Sequence, residues 1–402
     1  MYSAIKTSVV LGALLFIAAC YYYKQPQVEV AGGKGWDGVA YHSMYLHFKG
    51  DNSQQVYEAP FNKRVGVPWL ASKLPMEAQF AFRAINLSCG LIALVFTYLA
   101  LRTKFTPGVT FACLVPMVCY VYSPLRYTNF YPYNVDPPAI MFYSLATLFI
   151  TRKWYLAAGF TFVASIPIRE SGLYFALALG AAICLSDRRL FVTGITVCAV
   201  ALAGTLVGLL LQLPGTDYGQ LQTIFVSIKH KVLRPVELLR AAACVSMTLG
   251  PFLLCKLRNR PGMPAEAGAS GAIPRVFLLL CLVMALLGGS DTTRIFFIGF
   301  PLYVLLVADW VSGTDTSTIS LAVLAGLVAN RFNEQIPQPA TILPDNDIVG
   351  LFSITPDYAH PGVVACFAAF WFVCWFVIAG PARPAVDILL DRNSWGKVFQ
   401  LR

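Results

Sequence analysis

The side chains in this sequence that are equipped for chemistry are a few carboxylates, a few arginines and the aromatics beside them. Asp37 stands in "GWDGVAYH", between Gly35–Trp36 and a stretch of helical period. A carboxylate at a helix start caps the orphan N–H groups of the first turn. It also suits a general base, which must lie within hydrogen-bond reach of a hydroxyl. Trp36, Tyr41 and Tyr45 lie beside it, and such rings pack on a sugar face, on a lipid head or in a membrane-interface belt. Arg64 in "NKRVGVPWL", Arg169 with Glu170 in "PIRES", and Arg294 with Asp291 in "GGSDTTR" each border an apolar run. A guanidinium offers a planar fork that fits a phosphate. One arginine at a helix end ordinarily snorkels, whereas three in Gly- or Pro-interrupted motifs point to an anionic head group. Arg169–Glu170 also reads as a purely structural ion pair, because charges so near two apolar runs are costly unless paired. Asp136 in "YPYNVDPP" precedes two prolines, where a cap or turn role fits as well as a functional one. Asp357 and His360 in "TPDYAHPG" are weaker candidates. With Asp37 and Asp136 they leave a divalent cation open, although no stretch has metal-ligand spacing.

Other chemistries lack their residues. The sequence has no Walker loop and no GxGxxG after a strand, and thus no soluble nucleotide-binding domain. All eleven cysteines fall in apolar segments and none forms CxxC, so neither disulfides nor zinc is indicated. The net charge of +10 comes without a basic run interleaved with aromatics, which argues against a nucleic-acid partner. Basic residues in membrane loops account for the excess.

These groups sit on an apolar scaffold. Only 12% of the 402 residues are charged, 57% are hydrophobic and the mean hydropathy is +0.64, too apolar for a soluble surface. The pattern predicts an all-α, polytopic transmembrane bundle of about 11–13 spans, forming one integral membrane domain over residues 1–402. Spans are expected near 5–23, 84–101, 107–123, 135–150, 154–168, 171–186, 190–212, 237–255, 274–289, 294–309, 317–330 and 362–379. The first run, "VVLGALLFIAAC", follows Lys6 as a signal peptide would, but the spans that follow favour an uncleaved helix. Basic pairs recur at alternate turns: Arg102/Lys104, Arg152/Lys153, Arg188/Arg189, Lys256/Arg258, and the tail with Arg383 and Arg392. Positive charge stays inside, so both termini are expected in the cytoplasm. All the polar motifs then fall on the outer face, including the long outer loops 24–83 and 331–361. Two stretches have the period of short amphipathic helices, with stripes Tyr41, Met44, Tyr45, Phe48 and Leu221, Ile224, Phe225, Ile228, Val232. Each suits either the headgroup layer or packing on the protein.

An acidic residue in the first long outer loop, an interfacial helix beside it, a second acidic outer loop and many spans resemble the GT-C superfamily of integral membrane glycosyltransferases. "WDGVAYHSM" at 36–44 is similar to the segment in which that family's aspartate acts as base, and "NVDPP" at 134–138 occupies the place of its second acidic motif. The resemblance implies a polyprenyl-phosphate-linked sugar as donor, a glycan or lipid acceptor, and transfer with inversion at the outer face of a bacterial inner membrane. It implies Asp37 as base, with Arg64, Arg169 or Arg294 on the departing phosphate. "NVDPP" lacks the paired acidic residues of the family pattern, so the resemblance does not decide metal use. A flippase or transporter of a lipid-linked sugar, and a glycan polymerase or ligase, fit the same features.

Overall fold

The computed structural model describes residues 9, 12–20, 27–28, 30–35, 37–51, 56–120, 122–216, 220–258, 269–287, 292–331 and 361–380. Among these the chain is all-α, with seventeen α-helical segments, the first a four-residue turn at Val30–Gly33 left unnumbered, and no strand beyond one isolated bridge, Tyr57 with Gly215. We number the helices α1 (Asp37–Phe48), α2 (Gly66–Ser72), α3 (Ala78–Arg102), α4 (Pro107–Cys119), α5 (Pro124–Phe130), α6 (Asp136–Thr151), α7 (Tyr155–Ser165) and α8 (Ser171–Ser186). They continue as α9 (Phe191–Leu211), α10 (Gln220–Ser227), α11 (Pro235–Arg258), α12 (Ala269–Leu287), α13 (Thr292–Ile298), α14 (Phe300–Ser312), α15 (Thr316–Arg331) and α16 (Pro361–Ile378). Four helical stretches are long and apolar enough to cross a membrane, within Ala78–Arg102, Pro107–Phe130, Arg188–Leu211 and Ala241–Arg258. Six shorter apolar helices accompany them. The protein is an integral membrane protein by this measure.

The packing follows from side-chain size. On α9 the buried positions are Gly194, Val197, Ala201 and Gly204, one stripe at helical spacing. The opposite stripe is leucine, with Leu202, Leu206 and Leu210 exposed by 59%, 64% and 84%. Apolar surface so bare on a helix of this hydropathy faces lipid. The small stripe meets α8, where a Cβ on Gly180 would stand 2.8 Å from the Gly194 carbonyl oxygen. Lipid is as apolar as leucine, so helices in a bilayer gain from close backbone approach instead. Inside the bundle Thr97 on α3 donates to Ser144 on α6 at 3.0 Å, and Tyr143, Phe162, Phe175 and Phe277 pack edge to face or tilted.

Two elements differ from the sequence expectation, and two stretches left open by it are decided. The stretch expected to run from 294 to 309 is broken at Gly299 into α13 and α14. The backbone of Gly299 lies against Cys281 of α12, where a Cβ would collide with the sulfur. A further helix, α5, occupies part of what reads as polar loop. Pro124 at its first position and Ser123 accepting from the Arg126 N–H start it. The stripe of α1 is packed on protein: Tyr41, Met44 and Tyr45 are buried, with Tyr41 edge-on to Phe61 and Tyr45 beside Phe82. Around α10 the outcome is the reverse, with Phe225 and Val226 exposed. The side chains of Leu221, His230 and Lys231 lie outside the described residues.

The loops at one end are stitched together by backbone bonds. Tyr57 N–H donates to Pro214 O and Thr216 N–H to Tyr57 O, both at 3.0 Å; Gly66 N–H donates to Pro167 O at 2.8 Å; Val28 N–H donates to Phe130 O at 2.8 Å. The described segments around residues 28, 57–66, 130, 167 and 214–216 therefore share one end of the bundle. Replacing Gly180 with leucine is expected to prise α8 from α9 and cost about 1–3 kcal/mol. The check is a lowered thermal midpoint of the detergent-solubilised protein, with Leu206→Ala on the lipid face as the nearly neutral control.

Candidate functional site

Asp37 opens α1, and its surroundings explain the glycines on either side. Gly35 has φ +69°, a left-handed conformation that side chains rarely adopt, and its Cα lies against the Tyr131 ring. A Cβ on Gly38 would stand 2.6 Å from the Tyr133 Cβ, and the Gly38 N–H donates to the Tyr131 hydroxyl at 2.5 Å. Both glycines thus let the start of α1 settle onto the 127–136 segment. That segment is itself anchored by Asn86 of α3, whose amide donates to the carbonyls of Pro132 and Asn134 at 2.7 Å each.

Asp136 sits at the other edge of this contact, 3% exposed at the start of α6. Two prolines follow it, where their missing N–H groups cost nothing. Its own N–H donates to the Asn134 side chain at 3.0 Å. Its carboxylate accepts from Arg169 on one oxygen and from Arg294 Nε, at 2.5 Å, on the other. Arg294 reaches further: its Nη1 lies 3.4 Å from Asp37 Oδ2, and its guanidinium rests 5.6 Å from the centre of the Tyr127 ring. One arginine thereby joins two acidic residues from distant parts of the chain.

Arg64 and Glu170 complete the cluster. Arg64 follows a short 3-10 turn, Phe61–Lys63, and is 8% exposed. It grips Glu170 with two parallel hydrogen bonds, Nε to Oε2 at 2.9 Å and Nη2 to Oε1 at 2.5 Å. Its Nη1 donates to the Tyr41 hydroxyl at 3.2 Å, one turn along α1 from Asp37. Since Glu170 follows Arg169 directly, the two halves of the cluster meet at one peptide bond in the α7–α8 turn. Burial opposes charge on Glu170, but the Arg64 charge and its hydrogen bonds, helped by Arg169, hold its carboxyl down at about 2. Burial likewise works against the Arg64 cation, and Glu170 with Tyr41 overcomes it, keeping Arg64 well above its ordinary value. The Tyr41 phenol is raised, by burial first, with Arg64 pulling against and Asp37 adding to the shift.

Seven of the residues singled out from the sequence thus meet at one place: Asp37, Tyr41, Arg64, Asp136, Arg169, Glu170 and Arg294. Trp36 and Asp291, and the weaker candidates Asp357 and His360, lie outside the described residues. The sequence reading missed Tyr131, which seats the start of α1, and Tyr127, which backs Arg294. Their signal was the i, i+4 pair of tyrosines in "YTNFYPY". Among the described residues no group of three His, Cys, Asp or Glu side chains is placed to hold a metal ion. Asp37 and Asp136 instead converge on guanidinium.

A cavity of about 660 Å³ adjoins the cluster. Its walls include Val65, Trp69, Met141, Phe142, Ile168 and Leu211 and are almost wholly apolar. Gly66 and Val65 in that wall directly follow Arg64, and Pro167 and Ile168 directly precede Arg169. A greasy space therefore begins within two residues of two buried arginines. This combination suits an amphiphile with an anionic head.

Two outcomes are expected. Asp136→Asn leaves two buried guanidiniums short of their carboxylate and should cost about 3–5 kcal/mol. Asp37→Asn loses only a 3.4 Å contact to a carboxylate that is 28% exposed, worth about 0–1 kcal/mol. Thermal melts of the two variants in the same detergent compare them. Glu170 sets a pH window. Its carboxyl is depressed from 4.5 to about 2 on folding, so its stabilising contribution is complete above pH 4.5 and is lost as pH falls towards 2. The melting temperature should begin to fall below pH 4.5, and Glu170→Gln should flatten part of that fall.

No protein-family model matches the chain, and no curated protein or solved structure matches it either.

Proposed function

We propose that the chain is a membrane glycosyltransferase that moves a sugar from a polyprenyl-phosphate donor to a glycan or lipid acceptor. The observation that carries the reading is the Asp37–Arg294–Asp136–Arg169 chain of contacts beside an apolar cavity. It puts a partly exposed carboxylate next to arginines suited to phosphate, with room for hydrocarbon alongside. The donor phosphate is held at Arg294, with Arg64 and Arg169 adding to the local positive field, and the first isoprene units lie in the cavity. Asp37 accepts the proton of the acceptor hydroxyl. The hydroxyl oxygen bonds to the anomeric carbon from the face opposite the phosphate. The anomeric carbon–oxygen bond breaks, and its electron pair leaves on the phosphate, where guanidinium charge stabilises it. The sugar is delivered with inversion.

The alternating basic turns support an orientation with both termini in the cytoplasm and the site on the outer face. A lipid-linked donor suits that face, because it brings an activated sugar where nucleotide sugars are absent. The resemblance to bacterial polyprenyl-phosphate-dependent glycosyltransferases is what makes the inner membrane of a bacterium the proposed location.

The test is a deletion strain carrying either the wild-type gene or Asp37→Asn at matched expression. Loss of the base is expected to slow transfer by about 10²–10⁴. Mass spectrometry of polyprenyl-phosphate sugars and envelope glycans should then show one lipid-sugar accumulating and one linkage missing. A mutant that matches wild type would remove the catalytic role of Asp37 and turn attention to transport of the same lipid.

A further inference from the structure

The described cluster holds three guanidiniums, Arg64, Arg169 and Arg294, and three carboxylates, Asp37, Asp136 and Glu170. Its formal charge is therefore balanced before any substrate arrives. An anion entering such a site meets guanidiniums already paired with carboxylates, and the three carboxylates are not equally easy to displace. Asp136 is deeply buried and has a guanidinium on each oxygen. Glu170 makes two short bonds to one arginine in the fork geometry that gives such pairs their strength. Asp37 and Glu170 are equally exposed, at 28% of the side chain, but Asp37 has the longest contact of the set, 3.4 Å to a single nitrogen, Arg294 Nη1. Exposed, long ion pairs are worth little.

Arg294 is built for an exchange at this point. Its Nε is fixed to Asp136 and its guanidinium lies 5.6 Å from the centre of the Tyr127 ring, so the group has anchors that persist when a partner at Nη1 changes. We infer that a phosphate group binding at Arg294 displaces Asp37, so that the anion itself releases the carboxylate from its resting ion pair. This rests on the phosphate contact proposed above and adds a control to it: Asp37 becomes available as a base only when the donor phosphate is in place. An acceptor hydroxyl arriving first meets a carboxylate still engaged with Arg294. The two ligands are then coupled through one guanidinium, and the coupling is limited to the difference the anion makes to that pair.

Carboxyl labelling of the full-length protein in detergent tests this. The protein is treated with a water-soluble carbodiimide and an amine, and labelling of the Asp37, Asp136 and Glu170 peptides is read by mass spectrometry. The probes are farnesyl phosphate, inorganic phosphate and farnesol, and retention of radiolabelled farnesyl phosphate measures binding in parallel. Farnesyl phosphate should raise Asp37 labelling about two- to fivefold, the shift that release of a weak ion pair allows. Asp136 and Glu170 should not respond, and farnesol should have no effect. An equal response to inorganic phosphate would assign the displacement to the head group alone. A response to farnesyl phosphate only would assign it to the lipid-borne phosphate seated by the cavity. Arg294→Lys, which keeps the charge but not the fork, should show raised Asp37 labelling without any probe and no further rise with it. If farnesyl phosphate is retained while Asp37 labelling stays level or falls, or if Glu170 responds instead, the displacement is wrong although phosphate binding stands. If farnesyl phosphate is not retained, both the displacement and the phosphate site fail.

Discussion

Asp136 carries a guanidinium on each carboxylate oxygen, and the arrangement at this end of the bundle is organised by that sharing. A lone carboxylate this deeply buried would be expensive to ionise, and two lone arginines equally so. Together they satisfy one another, but only if α6, the α7–α8 turn and α13 arrive with their ends aligned. The two prolines after Asp136 help, since they start α6 at a fixed residue and keep the carboxylate at its very tip. With these elements fixed, Arg294 has one face left for Asp37, and Glu170, next to Arg169 in the chain, is placed to receive Arg64.

The second constraint is steric. The start of α1 reaches Arg294 only because Gly35 and Gly38 allow it to rest on Tyr131 and Tyr133. Any side chain at Gly38 would lift α1 off that surface and lengthen a contact that is already long. The aromatic segment 127–133 therefore sets the separation between the base candidate and the arginines, although none of its residues carries a charge that reacts. Electrostatics chooses the partners here, and packing against tyrosine decides how tightly they engage.

Much of this was legible in the sequence. The helical membrane architecture follows from hydropathy, and the boundaries of α8 and α9 follow closely from apolar runs ended by Asp187 and by Gln212. Arg64, Arg169, Arg294, Asp37 and Asp136 stood out because charge beside an apolar run is rare and needs a reason. Their pairing was not legible: Asp37 and Arg294 are 257 positions apart, and no local rule connects them. Arg169 and Glu170 needed partners, each other or a neighbour, and the structure gives each a separate one, Asp136 and Arg64, because neighbours on a turn point in different directions. The break at Gly299 and the helix α5 were also missed. The break depends on Cys281 of a neighbouring helix, which periodicity along the chain does not register, whereas α5 carried a local start signal, Ser123–Pro124, inside a stretch that reads as polar loop.

The order in which the chain is made gives the cluster a further meaning. When residues up to α12 have been synthesised, Arg64 and Arg169 face Asp37, Asp136 and Glu170, two positive groups against three negative ones. Arg294 arrives last, on α13, and restores the balance. Until then Asp136 has one guanidinium in place of two, and Asp37 has no arginine within reach. Insertion of α13 thus acts as a closing step for the whole end of the protein. A chain halted before residue 294 would carry every other part of the cluster and still lack the one side chain that joins Asp37 to Asp136.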